Sequence, residues 1–243
     1  MWNIFNKIQK KTIFTFLKTD MHSHLLPNVD DGVHNEETSF NFIKNLIELG
    51  YKKLILTPHI YSELYPNKKD DLIRKFNVLK DNIEKNKIPI QIELAAEYYI
   101  DKRFKELIQD NELLTFGDKF ILVETSFVGL PLNFEETLFE LITLGYRPVL
   151  AHPERYNYFL KNLKYFRHLH ERGIFLQINL LSLVGYYGSE SYKIAEYLLK
   201  ERIVSFIGTD LHNERHLEQI KKINFSNSFL KLLENQPLLN NQI

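Results

Sequence analysis

Cysteine is missing altogether from the 243 residues. No disulfide, thiolate nucleophile or cysteine-held zinc or iron–sulfur site can therefore form. That lack fits a reducing cytoplasm. An excess of either charge is missing too, since 31 Lys plus Arg balance 31 Asp plus Glu. Nucleic-acid binders usually carry a clear basic excess, so no nucleic-acid partner is expected, although a local cluster can still hold a small anion. No apolar run reaches the roughly 18 residues that cross a bilayer, so no transmembrane segment is expected. What remains is 44% hydrophobic and 26% charged, the make-up of an ordinary globular protein.

No low-complexity linker or composition break divides the chain, which points to one domain over 20–243 preceded by an extension, 1–19. In that extension Trp2, Phe5 and Ile8 recur at helical spacing among lysines. The pattern suits an extra amphipathic element packed on the domain, or one lying on a membrane surface. Thereafter strand and helix patterns alternate. Strands are expected at Phe16–Met21, Lys53–Leu56, Ile90–Ala95, Lys119–Val123, Pro148–Leu150, Ile174–Ile178 and Val204–Ile207. Helices are expected at Glu36–Leu49, Asp70–Lys85, Lys102–Gln109, Glu135–Leu144, Leu160–Arg172 and Ser191–Glu201, with one or two short ones at the end. About seven apolar strands between helices imply a parallel α/β fold, and the short strands favour an irregular barrel over a doubly wound sheet.

Metal-type ligands stand where these strands end. His22 and His24 follow the first, His59 the second, Glu97 the third and Glu124 the fourth. His152 follows the fifth, Asn179 ends the sixth, and Asp210 and His212 follow the seventh. In a parallel barrel those ends share the face that carries active sites. His22 and His24 alternate on extended chain, so both rings can reach one ion. A carboxylate closing an apolar strand, as Glu97 and Glu124 do, is costly unless it meets a metal or a buried Lys or Arg. Asp31, in Val29-Asp30-Asp31-Gly32, reads either as a further ligand or as part of a turn. Arg155 has the fork geometry to hold phosphate oxygens, or it pairs with Glu154 or a helix carboxylate; Arg215 is a second, weaker candidate. His34, His168, His170 and His216 have no place in this strand-end scheme.

Taken together, these pieces resemble the PHP (polymerase and histidinol phosphatase) superfamily, and within it the metal-dependent protein-tyrosine phosphatases of bacterial capsule and exopolysaccharide assembly. The shared segments are Asp20-Met21-His22-Ser23-His24-Leu25-Leu26-Pro27, Asp30-Asp31-Gly32, Thr57-Pro58-His59, Ala96-Glu97-Tyr98-Tyr99, Ala151-His152-Pro153-Glu154-Arg155-Tyr156 and Asp210-Leu211-His212-Asn213. Gly208-Thr209 departs from the pattern, where relatives often have another small residue. The resemblance implies a distorted seven-stranded β/α (TIM-like) barrel. It implies metal ligands at His22, His24, His59, Glu97, Glu124, His152, Asp210 and His212, and Asp31 and Arg155 beside the substrate phosphate. It further implies two or three divalent transition-metal ions. Imidazole and carboxylate ligands without sulfur suit manganese, with iron, zinc or cobalt as alternatives.

The activity so implied is hydrolysis of phosphotyrosine by a metal-bound hydroxide, since no thiolate exists. His59 or Asp210 would handle protons. The partner would be a membrane tyrosine kinase of polysaccharide export, which places the enzyme in the cytoplasm, peripherally at the inner face of the membrane. The rival readings are a small-molecule phosphatase, such as one acting on histidinol phosphate, and a non-catalytic metal-binding subunit.

Overall fold

The computed structural model describes Phe14 and residues 16–243, so the Trp2–Phe5–Ile8 pattern lies outside the described residues. Nine strands are present among them, all paired in parallel: β1 (Thr19–Ser23), β2 (Lys53–Leu56), β3 (His59–Ile60), β4 (Gln91–Leu94), β5 (Glu97–Tyr99), β6 (Phe120–Glu124), β7 (Arg147–Ala151), β8 (Phe175–Asn179) and β9 (Phe206–Gly208). They form two sheets, β1-β2-β4 and β3-β5-β6-β7-β8-β9.

The count differs from the seven expected because two strands are each broken. Thr57-Pro58 separates β2 from β3, and Pro58 has no N–H to give to a ladder. Ala95-Ala96 separates β4 from β5 in the adjoining strand, and the two breaks move both continuations into the second sheet. The first strand also differs: it starts at Thr19, and Phe16 is helical. Phe14 and Leu17 are buried, with the Phe14 ring 5.6 Å from that of Tyr51, so this end of the extension packs on the domain.

The last strand returns to the first. The Asp210 amide donates to the His22 carbonyl (2.8 Å), the His24 amide donates to the Leu211 carbonyl (3.1 Å), and Ser23 bridges Leu211 in parallel. Residues at opposite ends of the chain are thereby held side by side.

Eight α-helices cover the sheets among the described residues: α1 (Glu36–Leu49), α2 (Lys69–Lys85), α3 (Lys102–Gln109), α4 (Phe134–Thr143), α5 (Lys164–Glu171), α6 (Ser189–Lys200), α7 (Glu214–Lys222) and α8 (Asn227–Glu234). Their limits follow local chemistry. The Asn35 side chain accepts the Thr38 amide to start α1, and Gly50 at φ 122° ends it. Each helix turns an apolar stripe inward, as α6 does with Ile194, Ala195, Leu198 and Leu199.

A smaller apolar cluster joins Met21, Ile55, Ala95, Leu122, Val149, Ala151 and Phe206 from strands of both sheets. Strand periodicity then sets the site. Glu124 lies two residues beyond Leu122 in β6, on the same side of the sheet, and so projects just past this plug. No helix among the described residues is long and apolar enough to cross a membrane.

Candidate metal centre

The strand ends bring all eight expected ligand residues to one place. Three groups of side chains are each close enough to hold an ion: His22, His24, Glu97 and Asp210; His59, Glu97 and Glu124; and His24, Asp31, His59 and His212. Glu97 is the hub. Its Oε2 lies 3.0 Å from His22 Nε2, 3.3 Å from His24 Nε2 and 3.3 Å from His59 Nδ1. Its Oε1 lies 2.9 Å from His152 Nε2. Glu124 Oε1 stands 3.0 Å from His59 Nδ1. Asp31 Oδ1 is 3.5 Å from both His59 Nε2 and His212 Nε2, with the residue at the exposed edge. The two outer groups thus share His59 with each other, and each shares one further residue with the fully buried inner group.

The donor atoms fit cations. His22 Nε2 and His24 Nε2 face each other at 3.2 Å with two carboxylates beside them. Buried Asp210 Oδ1, His59 Nδ1 and His152 Nδ1 have no hydrogen-bond partner among the described residues. Such orphaned atoms are costly unless something positive or protic meets them.

A second set of residues aims the first. The Asp30 carboxylate accepts the His24 Nδ1 hydrogen (2.8 Å), the His59 amide (3.0 Å) and the Gly32 amide (3.0 Å). Gln177 Oε1 accepts from His22 Nδ1 (2.9 Å) and from the His152 amide (3.3 Å). Gln177 Nε2 donates to Asn179 Oδ1 (2.9 Å), and Asn179 Nδ2 donates to Asp210 Oδ2 (2.7 Å). With Nδ1 of His22 and of His24 so engaged, their Nε2 atoms turn to the ion position. Backbone strain serves the same end: His152 (φ 33°) and Asp210 (φ 51°) are both left-handed, which costs a non-glycine residue on the order of 1 kcal/mol.

Charge follows from this packing. Burial pushes the His22 and His24 rings down, but the carboxylates around them outweigh it and hold both above their ordinary range. For His59 burial again opposes, and Glu97 and Glu124 raise it to about 9. Burial would raise Glu97, yet His22 and His59 hold it well below the usual carboxylate range. Burial raises Asp210 likewise, and His22 and His212 overcome it. Burial, then the charge of His24, lowers His212 to about 4, leaving it neutral at neutral pH. The site is an array of coupled cations and anions in which bound ions would displace protons from the histidines.

Arg155 stands over this array. Its Nη1 donates to Asp210 Oδ2 (3.1 Å), so its partner is Asp210 rather than Glu154. Glu154 is buried instead on the Asn179 amide (2.9 Å) and the Ser182 hydroxyl (2.6 Å). Arg215 is exposed at the start of α7, its guanidinium 5.6 Å over the Tyr186 ring. His34 and His168 are exposed, and His170 sits with His168 on α5. His216 has a different place: it lines the cavity beside His212, with Nδ1 3.2 Å from the Asp210 carbonyl.

Sequence reasoning missed Asp30, Gln177 and His216. Alternation in Phe175–Asn179 put Gln177 on the same face as Asn179, a usable signal. His216 lies one helical turn beyond His212, and its amide donates to the side chain of Asn213, the cap of α7. The cavity above the array has a volume of about 530 Å³, with Arg155, Tyr187 and Phe127 on one wall and Tyr61, Tyr65 and Tyr99 on another.

Comparison with known proteins gives this geometry a context. Residues 18–224 match the family described as capsular polysaccharide synthesis, CpsB/CapC. The tyrosine-protein phosphatase YwqE of Bacillus subtilis is 30% identical over 195 residues, covering 80% of this chain and 77% of YwqE. A crystal structure from work on YwqE of Bacillus subtilis and CpsB of Streptococcus pneumoniae, described as metal-dependent tyrosine phosphatases, superposes with a TM-score of 0.76. It is 28% identical, covering 89% of this chain and 92% of that one. Histidinol phosphate phosphatase from Lactococcus lactis, solved with zinc, L-histidinol and phosphate, shares the fold at a TM-score of 0.53 and 17% identity, covering 86% and 94%.

Proposed function

The chain belongs to the CpsB/CapC family of capsular polysaccharide synthesis, and on that premise we propose that it is a metal-dependent protein-tyrosine phosphatase, converting phosphotyrosine to tyrosine and inorganic phosphate. The observation that carries the reading is the set of three ligand groups, joined through Glu97, His24 and His59, on the floor of a cavity that Arg155 overlooks. We read the nine strands as a seven-position barrel of the PHP type, with two positions broken in the middle.

Two or three divalent ions belong in the cluster, manganese first, with iron, zinc or cobalt as alternatives. His22, His24, Glu97 and Asp210 would hold one, His59, Glu97 and Glu124 a second with His152 beside Glu97, and His24, Asp31, His59 and His212 a third. Bound ions would supply the Lewis acidity that generates a nucleophile from water near neutral pH and neutralises the phosphoryl oxygens.

The chain's own groups do the rest. Arg155 forks onto the phosphoryl oxygens and orients them, with Asp210 fixing the guanidinium from behind. Asp31, at the exposed edge, borders the substrate phosphate. No cysteine exists to form a phosphocysteine intermediate, and with the buried histidines given to the ions, water would bond to phosphorus as its bond to the phenolate oxygen breaks, in one in-line step. The phenolate leaving group, with a pKa of about 10, needs little protonation. Arg215, exposed at the start of α7 and outside the cavity lining, would meet the substrate chain rather than its phosphate.

The substrate would be a phosphotyrosine segment of a membrane tyrosine kinase of polysaccharide export. The enzyme would then work in the cytoplasm at the inner face of the membrane. We read residues 20–243 as the catalytic domain and 1–19 as an extension, of which Phe14 and Leu17 are buried against the domain. Purified protein given phosphotyrosine, phosphoserine and histidinol phosphate, with and without a strong chelator, tests the reading. Phosphotyrosine should be hydrolysed fastest, and chelation should abolish turnover. A preference for histidinol phosphate would put the small-molecule reading in its place.

A further inference from the structure

Phe127 is half exposed, at 49%, although it is packed on the machinery of the site. Its ring lies 5.8 Å from that of His152, at 22° to it, and the Arg155 guanidinium sits 4.8 Å from its centroid. The same guanidinium also sits 4.4 Å from the centroid of the Tyr187 ring. Arg155 thus has two rings beside it, of which Tyr187 is partly buried while Phe127 is half exposed, and both line the cavity.

Leaving that much phenyl in water has a cost that grows with the apolar surface exposed. The cost is recovered if a ligand covers it. The chain reaches Phe127 three residues after Glu124, in the loop that leaves the end of β6 and lines the cavity. A phosphoryl group on Arg155 therefore carries its leaving group into the neighbourhood of this ring. Rings prefer offset or edge-on partners, and a phenyl leaving group offers that partner where an alkyl one does not.

We propose that Phe127 is a specificity-determining residue, whose free surface packs against the aromatic ring of the leaving group and so selects aryl over alkyl phosphate esters. The proposal rests on the phosphatase reading and adds the means by which tyrosine is chosen. Phe127 makes no contact with the reacting atoms; it contributes to substrate binding and bears on KM.

The test compares wild type with Phe127→Ala, Phe127→Leu and Phe127→Tyr, each loaded with manganese. Binding of phenylphosphonate and of methylphosphonate, which share a head group and resist hydrolysis, is measured by calorimetry. KM for a phosphotyrosine peptide is measured alongside, with metal content and melting temperature as checks of folding. Phe127→Ala and Phe127→Leu should weaken phenylphosphonate roughly tenfold and raise KM by a similar factor, while methylphosphonate stays within about twofold and Phe127→Tyr behaves as wild type. Equal losses for both phosphonates would mean that Phe127 merely props Arg155, and would overturn the proposal. So would unchanged phenylphosphonate binding in Phe127→Ala. A wild-type protein that binds neither phosphonate and cleaves no phosphate ester would instead remove the phosphatase reading, and this proposal with it.

Discussion

Arg155 is the residue whose role separates substrate binding from metal binding most cleanly. It touches Asp210 but offers no lone pair to an ion, and its guanidinium lies beside the Phe127 and Tyr187 rings. Arg155→Ala should lower kcat/KM by roughly 2–3 kcal/mol of transition-state stabilisation while metal content stays at the wild-type value. Steady-state kinetics with elemental analysis of the same samples checks both halves, and unchanged kinetics would make the residue structural. The ligands themselves were legible in the sequence because each ends an apolar run, as Glu124 ends Phe120-Ile121-Leu122-Val123. The groups that aim them were not. Asp30 reads as half of a turn until the fold brings the His59 amide to it, across 29 positions of chain. Gln177 meets His22 across 155 positions, a contact that no local pattern announces.

At the scale of the element, β9 must approach β1 closely enough for one array to use residues from both ends of the chain. Gly208 permits that approach. A Cβ there would stand 2.6 Å from His22 Cβ and 3.0 Å from Gln177 Nε2, both within the site's own support. Gly208→Ala should therefore displace His22, remove at least one equivalent of metal and cut activity by about tenfold or more, with the fold retained. Circular dichroism beside elemental analysis distinguishes this from unfolding; a variant with full metal content would show that the strands can part without cost. At Gly208 the His22 side chain leaves no room for a Cβ, and the next residue, Thr209, answers buried Asp20 with its amide (2.9 Å) and its hydroxyl (2.6 Å). The broken strands were hidden from sequence reading for a simpler reason. Lys53–Leu56 and Ile90–Ala95 are complete strands by pattern, and only the pairing reveals that Thr57-Pro58 and Ala95-Ala96 carry the chain into a second sheet.

For the whole molecule, metal and proton compete for one set of histidines. Without metal, His22, His24 and His59 are held above their ordinary value, so their ion pairs stabilise the fold fully below about 6.5 and are lost as pH rises, through about 9 for His59. Metal binding needs the deprotonated rings and strengthens over the same window. The melting temperature of chelated protein should fall between pH 6.5 and 9, and the gap to metal-loaded protein should widen. A gap independent of pH would mean that the histidines do not carry the linkage. The sharing of Glu97 between neighbouring ions of one catalytic cluster, as its place in two ligand groups would allow, is tested most directly by titrating metal-free protein with Mn²⁺. Electron paramagnetic resonance and phosphotyrosine hydrolysis are followed on the same samples. Activity should appear only beyond the first equivalent, together with an exchange-coupled spectrum, and Glu97→Gln should lose both. Full activity at one equivalent with an isolated-ion spectrum, or in strong chelator with no metal at all, would contradict it.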